Sequence, residues 1–157
     1  MKGHADVIAK LNDLLSRELA AINQYFVATE LHENWGYAKL HAEERARAIT
    51  EMKHAERLIE RIIFLEGEPI VSRLGDIQIG RDVPGIVKND LAAEYDAVKQ
   101  YNEGVEIAAR EHDNATKTLL ESILNDEIGH VDQLEAFQDQ IAQMGLANFL
   151  STVTTKE

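Results

Sequence analysis

The chain has 157 residues, of which 45% are hydrophobic and 28% are charged, and it contains no cysteine. This length predicts one domain, residues 1–157, with a single hydrophobic core. The lack of cysteine excludes disulfides and thiolate metal sites, and together with the lack of an apolar leader it favours the cytoplasm. The formal charge of −12 argues against a nucleic-acid partner, and no apolar run reaches the roughly 20 residues that span a membrane.

Apolar side chains recur at helical spacing in four long segments, each bounded by turn residues. The predicted helices are residues 5–34, 37–65, 83–111 and 114–144. Gly145 is expected to end the fourth helix, and Leu146, Phe149 and Leu150 predict one further short helix near the C-terminus. The chain is therefore expected to be all-α.

The second and third predicted helices are joined by a long segment that contains Pro69 and several glycines, and the other proline of the chain, Pro84, falls at the start of the third helix. About 17 extended residues reach ~56 Å, more than the ~42 Å length of a 28-residue helix. The third helix can therefore run parallel to the second, which predicts a four-helix bundle with one long crossover. We expect the apolar residues of the segment to pack on the bundle, whereas a disordered linker would contain fewer of them. They are Ile70, Val71, Leu74, Ile77 and Ile79.

Two of the helices carry the same motif, a glutamate and a histidine three residues apart, and each motif has a lone glutamate 33 residues before it. The two sets are Glu18, Glu51 and His54, and Glu94, Glu127 and His130. An offset of 76 relates the first set to the second, and it also relates Gln24 and Tyr25 to Gln100 and Tyr101. This offset indicates an internal duplication, which would place the two sets around an approximate two-fold axis.

These four glutamates and two histidines predict a dinuclear metal site. Burying one ionised carboxylate without a partner is costly, and burying four together adds their mutual repulsion. Two divalent cations would cancel the four charges, and oxygen with imidazole ligands suits iron, manganese or zinc. The alternative, surface glutamates and capping histidines in an ordinary bundle, does not explain the offset. The other histidines lack carboxylates at ligand spacing and are expected to be solvated; they are His4, His32, His41 and His112.

The chain resembles the bacterioferritins over nearly its whole length. The resemblance lies in residues 11–26 (LNDLLSRELAAINQYF), 51–67 (EMKHAERLIERIIFLEG) and 126–134 (DEIGHVDQL). It implies an all-α, ferritin-like four-helix bundle with one long crossover between helices 2 and 3 and a short fifth C-terminal helix. It also implies a cytoplasmic shell of 24 subunits, built from two-fold dimers, that oxidises Fe(II) and stores the ferric mineral.

The resemblance further implies two iron ions per subunit, each held by one glutamate and one histidine and bridged by the remaining glutamates. The terminal pairs would be Glu18 with His54 and Glu94 with His130, and the bridging residues would be Glu51 and Glu127. Dioxygen or hydrogen peroxide would take electrons from both ferrous ions at once. A ferredoxin-type protein is the expected electron donor for the release of iron.

Met52 follows Glu51 by one residue, so its side chain should point about 100° away from the metal site, toward the outside of the bundle. With Leu19, Phe26 and Ile49 it would form an apolar patch, which suggests a partner surface. Bacterioferritins bind haem b between two subunits through one such methionine from each, so the resemblance implies that Met52 is the haem ligand. The alternative is that Met52 only fills space in an apolar core.

Two positions depart from the pattern of the family. Many bacterioferritins have a histidine and an acid near positions 46 and 50, whereas this chain has Ala46 and Thr50, so the resemblance does not extend to an iron site on the inner wall. Another enzymatic function stays open, a di-iron or di-manganese peroxidase or catalase of the ferritin-like group without mineral storage. A DNA-protecting small-shell ferritin is disfavoured because that class lacks two Glu-x-x-His pairs in one chain, and a metal-free scaffold is the remaining alternative.

Overall fold

The structure is a computed structural model that describes residues 1–156, and five helices account for most of them. The elements are α1 (Ala5–Trp35), α2 (Ala38–Phe64), α3 (Val83–Arg110), α4 (Asn114–Met144) and the short α5 (Leu146–Ser151). No strand occurs in this part of the chain. The all-α prediction is confirmed, and the predicted ends of the four long helices agree with the observed ones to within a residue.

The helix ends follow from local sequence. Gly36 ends α1 with a φ of 83°, in the left-handed conformation that favours glycine, and reverses the chain into α2. Asp82 begins α3 by accepting a hydrogen bond from the N–H of Gly85, and Asp113 begins α4 by accepting one from the N–H of Thr116. Two helical hairpins result, α1 with α2 and α3 with α4, and they join mainly where α1 packs on α3.

Two apolar clusters fill the bundle and define its two ends. The first includes Leu11, Leu15, Leu58, Ile62, Tyr101, Leu120 and Ile123. The second includes Leu40, Val87, Leu91, Leu134, Phe137 and Phe149, and so packs α5 against the end of the bundle. Both α2 and α3 run from the second cluster to the first, so they are parallel, as the long crossover predicts. The predicted metal-site residues of the four long helices lie between the first cluster and the second.

The crossover, residues 65–82, is held on α1 by polar contacts. The backbone N–H of Ile70 donates to Asn12 Oδ1 at 2.8 Å, and the N–H of Gln78 donates to Gln24 Oε1 at 3.0 Å. This ordered path excludes the disordered linker. The expectation that its apolar side chains pack on the bundle is wrong for most of them, because those of Ile70, Val71, Leu74 and Ile79 are exposed. Hydrogen bonds to α1, rather than apolar burial, fix the segment in this chain.

The structure also corrects the expectation for two histidines. His32 is buried against the edge of Trp35, with ring centroids 6.1 Å apart, and neither of its ring nitrogens has a hydrogen-bond partner among residues 1–156. Burial, with Arg47 and His41 nearby, lowers the pKa of His32 to about 4. His41 is half-buried with Nδ1 at 3.1 Å from Thr29 O. A position near a helix end does not determine whether a side chain faces the solvent or the core. The side chains of His32 and His41 both face the interior of the bundle.

None of the described helices combines the length and the apolar character that a membrane span requires.

Candidate metal centre

The six side chains of the two duplicated sets lie together in a polar layer between the two apolar clusters. Helix α1 contributes Glu18, α2 contributes Glu51 and His54, α3 contributes Glu94, and α4 contributes Glu127 and His130. All are buried except His130, whose side chain is 15% exposed. Because the glutamate and histidine of each motif are three residues apart, one helical face presents both of them to the layer.

Four of the residues form the first group, which we name the His54 position. Ligand atoms of Glu18, Glu51, His54 and Glu127 all lie within 4.8 Å of one another. Nδ1 of His54 is 2.9 Å from Glu51 Oε2, 2.9 Å from Glu127 Oε1 and 3.6 Å from Glu18 Oε1. Three carboxylates and one imidazole therefore face a single point that a cation could occupy.

The second group, the His130 position, consists of Glu51, Glu94, Glu127 and His130, whose ligand atoms also lie within 4.8 Å of one another. Nδ1 of His130 is 3.0 Å from Glu51 Oε1, 3.3 Å from Glu94 Oε1 and 3.4 Å from Glu127 Oε2. Glu51 and Glu127 belong to both groups, and each has one carboxylate oxygen near His54 and the other near His130. The two imidazole rings are 6.4 Å apart, so the geometry is that of two adjacent positions with two shared carboxylates.

Charge is concentrated in this layer. Burial, with the nearby charge of Glu51, raises the pKa of Glu18 to about 8, and burial with the charge of Glu18 raises that of Glu127 well above its usual value. Burial alone would lower the pKa of His130, but the close carboxylates of Glu127, Glu51 and Glu94 outweigh it and raise this pKa to about 12. Without a cation, the layer balances its carboxylates only by holding protons.

Several of the facing atoms also lack a hydrogen-bond partner. Glu127 Oε1 and Glu51 Oε1 lie 2.9 Å and 3.0 Å from imidazole nitrogens, yet neither contact has hydrogen-bond geometry, and Glu94 Oε2 has no partner at all in the described chain. Buried polar atoms are normally satisfied, and each exception needs an explanation. An arrangement that faces these atoms toward a cation would account for the exceptions.

Two buried tyrosines fix the terminal glutamates. The hydroxyl of Tyr25 donates to Glu94 Oε1 at 2.7 Å, and that of Tyr101 donates to Glu18 Oε1. The offset of 76 relates both tyrosines and both glutamates, and each tyrosine binds the glutamate of the other half. The hydrogen bonds therefore obey the approximate two-fold axis. The offset contained the signal for this role, although it did not predict which glutamate each tyrosine binds.

A buried charged cluster lies beside Tyr25 and was not predicted. The guanidinium of Arg47 lies over the Tyr25 ring, 5.4 Å from its centroid, with Glu44 at 3.3 Å and Asp90 at 3.6 Å. Gln24 Nε2 donates to Asp90 Oδ1 at 2.7 Å. Burial, with the charge of Glu44, raises the pKa of Asp90 well above its usual value. The positions related to the three charged residues by the offset, Leu120, Ile123 and Leu14, are apolar, so repeat comparison gave no signal.

A cavity of about 620 Å³ lies between α1, α3 and the crossover and reaches the metal centre. Its inner wall includes Glu18 and Glu94, and its outer part includes Asp13, Arg17 and Asp96. Arg17 forms an ion pair with Asp96 across the mouth and a second one with Asp13 at 3.4 Å. The cavity is lined by buried carboxylates at one end, and the partly exposed Arg17 lies in its outer part.

Met52 lies on the outer face of α2 with 47% of its surface exposed, beside the exposed Ile49. Leu19 and Phe26 on α1 are half-buried. The side chain of Met52 therefore points away from the metal centre, which argues against the core-filling alternative within this chain. Its binding of haem stays a prediction.

Residues 8–144 match the family model of the ferritin-like domain. The chain is 43% identical over 145 residues to a bacterioferritin of Brucella melitensis biotype 1, an alignment that covers 92% of this chain and 90% of that protein. It is 43% identical over 150 residues to the bacterioferritin of Rhodobacter capsulatus, covering 94% and 93% of the two chains. The bacterioferritin of Streptomyces coelicolor is 39% identical over 153 residues, which covers 98% of this chain and 92% of that one.

Proposed function

The chain belongs to the bacterioferritin family of ferritin-like proteins, and from this premise we propose that it oxidises Fe(II) and stores the product as a ferric mineral. The oxidation would occur at the layer of four glutamates and two histidines within each subunit. The mineral would collect inside a cytoplasmic shell of 24 subunits built from two-fold dimers.

One observation carries this proposal: two four-residue groups that share Glu51 and Glu127. Two Fe(II) ions are the substrate that this geometry suits, with Glu18 and His54 on one ion and Glu94 and His130 on the other. Four carboxylates match the charge of two divalent cations, and buried oxygens without hydrogen-bond partners are available as ligands. Oxygen and imidazole ligands also favour iron over metals that prefer thiolates.

The shared carboxylates also explain why oxidation would proceed in pairs of electrons. Each Fe(II) gives up one electron, and dioxygen takes both with two protons to form hydrogen peroxide. Hydrogen peroxide can likewise take both electrons with two protons to form two water molecules. Glu51 and Glu127 hold the two ions adjacent, so no one-electron product needs to leave the site. Tyr25 and Tyr101 keep Glu94 and Glu18 in position while the charge of the ions changes.

Met52 is proposed as the ligand of haem b shared between two subunits. Its thioether is exposed on an apolar face with Ile49, where a second copy of the chain could supply the matching methionine. When bound there, haem supplies one-electron transfer. The offset places Ile128 at the equivalent position of the other half, so of these two positions only that of Met52 offers a sulfur atom.

The experiment that tests the function compares a double variant with a matched control. We expect Glu18→Gln with Glu94→Gln to assemble normally but to lose rapid Fe(II) oxidation at two equivalents of iron per subunit, by about 100-fold or more, because each ion loses a charged ligand. Glu30 and Glu106 serve as the control because they lie on the same two helices, are exposed and are also related by the offset. Replacing both by glutamine should leave oxidation unchanged.

Oxidation that proceeds at the wild-type rate in Glu18→Gln with Glu94→Gln would contradict the site. Particle mass and iron content distinguish storage from the enzymatic alternative. A large shell that accumulates far more iron than two ions per subunit supports storage, whereas uptake that stops at two ions per subunit indicates a peroxidase or catalase.

A further inference from the structure

The two histidines of the metal centre are supported unequally, and the inference drawn here rests on the proposed metal binding. Nδ1 of each imidazole faces the shared carboxylates. Nε2 of His54 lies 2.9 Å from Asp126 Oδ2, which is in hydrogen-bond geometry. For His130, by contrast, the contacts to the nearby carboxylates of Glu51, Glu94 and Glu127 are made by Nδ1, and Nε2 has no hydrogen bond within residues 1–156.

The internal duplication explains the difference. Asp126 on α4 precedes His130 by four residues and reaches across to His54 on α2. The offset of 76 relates Asp126 to Thr50, which precedes His54 by four residues on α2 and would have to reach across to His130. A threonine is too short to do so, and the hydroxyl of Thr50 instead donates to the backbone oxygen of Ala46 at 3.1 Å. The tyrosine contacts keep the two-fold relation, so among the hydrogen-bond partners of the six metal-site side chains the relation breaks at this pair of positions.

A carboxylate on the second nitrogen has a defined effect on a metal-binding imidazole. It fixes the tautomer and the ring orientation and increases the basicity of the ligand, and losing it typically costs about 10- to 100-fold in metal affinity. The side chain of His54 is also only 1% exposed, against 15% for that of His130. The imidazole of His54 is therefore held from both sides, while that of His130 is held from one side and is partly solvated.

We propose that Asp126 is a positioning residue for His54, and that Thr50 leaves His130 without the equivalent partner. The His54 position then binds a divalent cation more tightly than the His130 position and fills first. The difference in affinity between the two positions follows from one residue of the repeat, Thr50, and a single substitution there should remove it.

The test is a titration of the metal-free, assembled protein with Co(II), followed by calorimetry and by the visible absorption of the bound ion. Wild type should bind two ions per subunit in two steps whose affinities differ by about 10- to 100-fold. Thr50→Asp should increase the Co(II) affinity of the weaker step by a similar factor. Asp126→Asn should weaken the tighter step, and Asp126→Glu should restore part of that loss, which a merely structural role would not do.

Two control variants isolate the carboxylate. Thr50→Ser keeps a small hydroxyl and should leave both steps unchanged, as should Asp139→Asn, which removes an exposed acid from the same helix as Asp126. Two equal steps in wild type would overturn the proposal. An unaltered tighter step in Asp126→Asn would overturn it too, whatever Thr50→Asp does to folding. If wild type bound no Co(II) at all, the proposed function itself would fail, which is a different result from two equal steps.

Discussion

Replacing Glu18 by glutamine should stabilise the metal-free protein and reduce the stability that the protein gains from a bound cation. Glu18 is buried, accepts a hydrogen bond from Tyr101 and lies near the charge of Glu51. Glutamine has nearly the same shape and can still accept that hydrogen bond, but it has no charge. The substitution therefore isolates the electrostatic part of the contribution of Glu18 to the free energy of unfolding.

The expected magnitude follows from the pKa of Glu18, which is raised from 4.5 to about 8. Between these values the folded state holds a proton that the unfolded state has released, so stability falls as the pH rises through this window. At about 1.4 kcal/mol per pH unit, the cost at pH 7 is ~3 kcal/mol as an upper limit. Glu18→Gln removes this cost, so its advantage should be absent below pH 4.5 and largest above pH 8.

Cation binding should reduce the advantage of Glu18→Gln. Zn(II) at 100 times its dissociation constant adds about 2.7 kcal/mol to the stability of a protein that binds it only when folded. Glu18→Gln lacks a charged ligand of the His54 position, so its stability should increase less with Zn(II) than that of wild type. Each kcal/mol corresponds to about 2–4 °C in the melting temperature of a chain of this size.

The assay is a thermal melt of the assembled protein with a chelator and with excess Zn(II), from pH 5 to pH 8. Glu30→Gln is the control, because it removes an exposed charge from the same helix and should change neither melt. A melting temperature of Glu18→Gln below that of wild type in chelator at pH 8 would contradict a buried charge at Glu18. An equal rise in melting temperature of both proteins with Zn(II) would contradict a ligand role for it.

Three further predictions concern other parts of the molecule. Met52→Leu should abolish the haem absorption band of the purified protein while Fe(II) oxidation continues, and haem at full stoichiometry would disprove the ligand assignment. Arg17→Ala should open the cavity mouth and speed Co(II) association about two- to tenfold in stopped-flow absorption. Lys10→Ala is its control, because Lys10 also joins α1 to α3 but does not line the cavity; equal acceleration in both would refute a role for Arg17. Arg47→Met should lower the free energy of unfolding, measured in urea, by ~3–5 kcal/mol because it leaves Glu44 without its buried partner. An unchanged urea midpoint would contradict this.

The sequence predicted the helices and brought out the six central residues because both leave repeated signals. Apolar periodicity extends over some thirty residues in each helix, so local exceptions do not hide it. The duplication shows Glu18, Glu51 and His54 a second time at a constant offset, and burial of that many ionisable groups needs a common explanation.

Features that occur once in the chain were not predictable in the same way. Arg47 and Asp90 are matched by apolar residues in the other half, so nothing in the repeat marked them as buried and charged. Asp126 became meaningful only when its contact with His54 was known. His32 was misjudged because its burial depends on the packing of Trp35 and on the crossing of α1 and α2, which sequence spacing does not specify.

The central claim is that four glutamates and two histidines bind two adjacent cations inside each subunit. Anomalous X-ray diffraction from crystals loaded with Fe(II) in the absence of oxygen tests it most directly. We expect two neighbouring iron peaks in the polar layer, one beside His54 and one beside His130, with Glu51 and Glu127 between them. Crystals whose only iron peaks lie on the surface, with this layer empty, would contradict it.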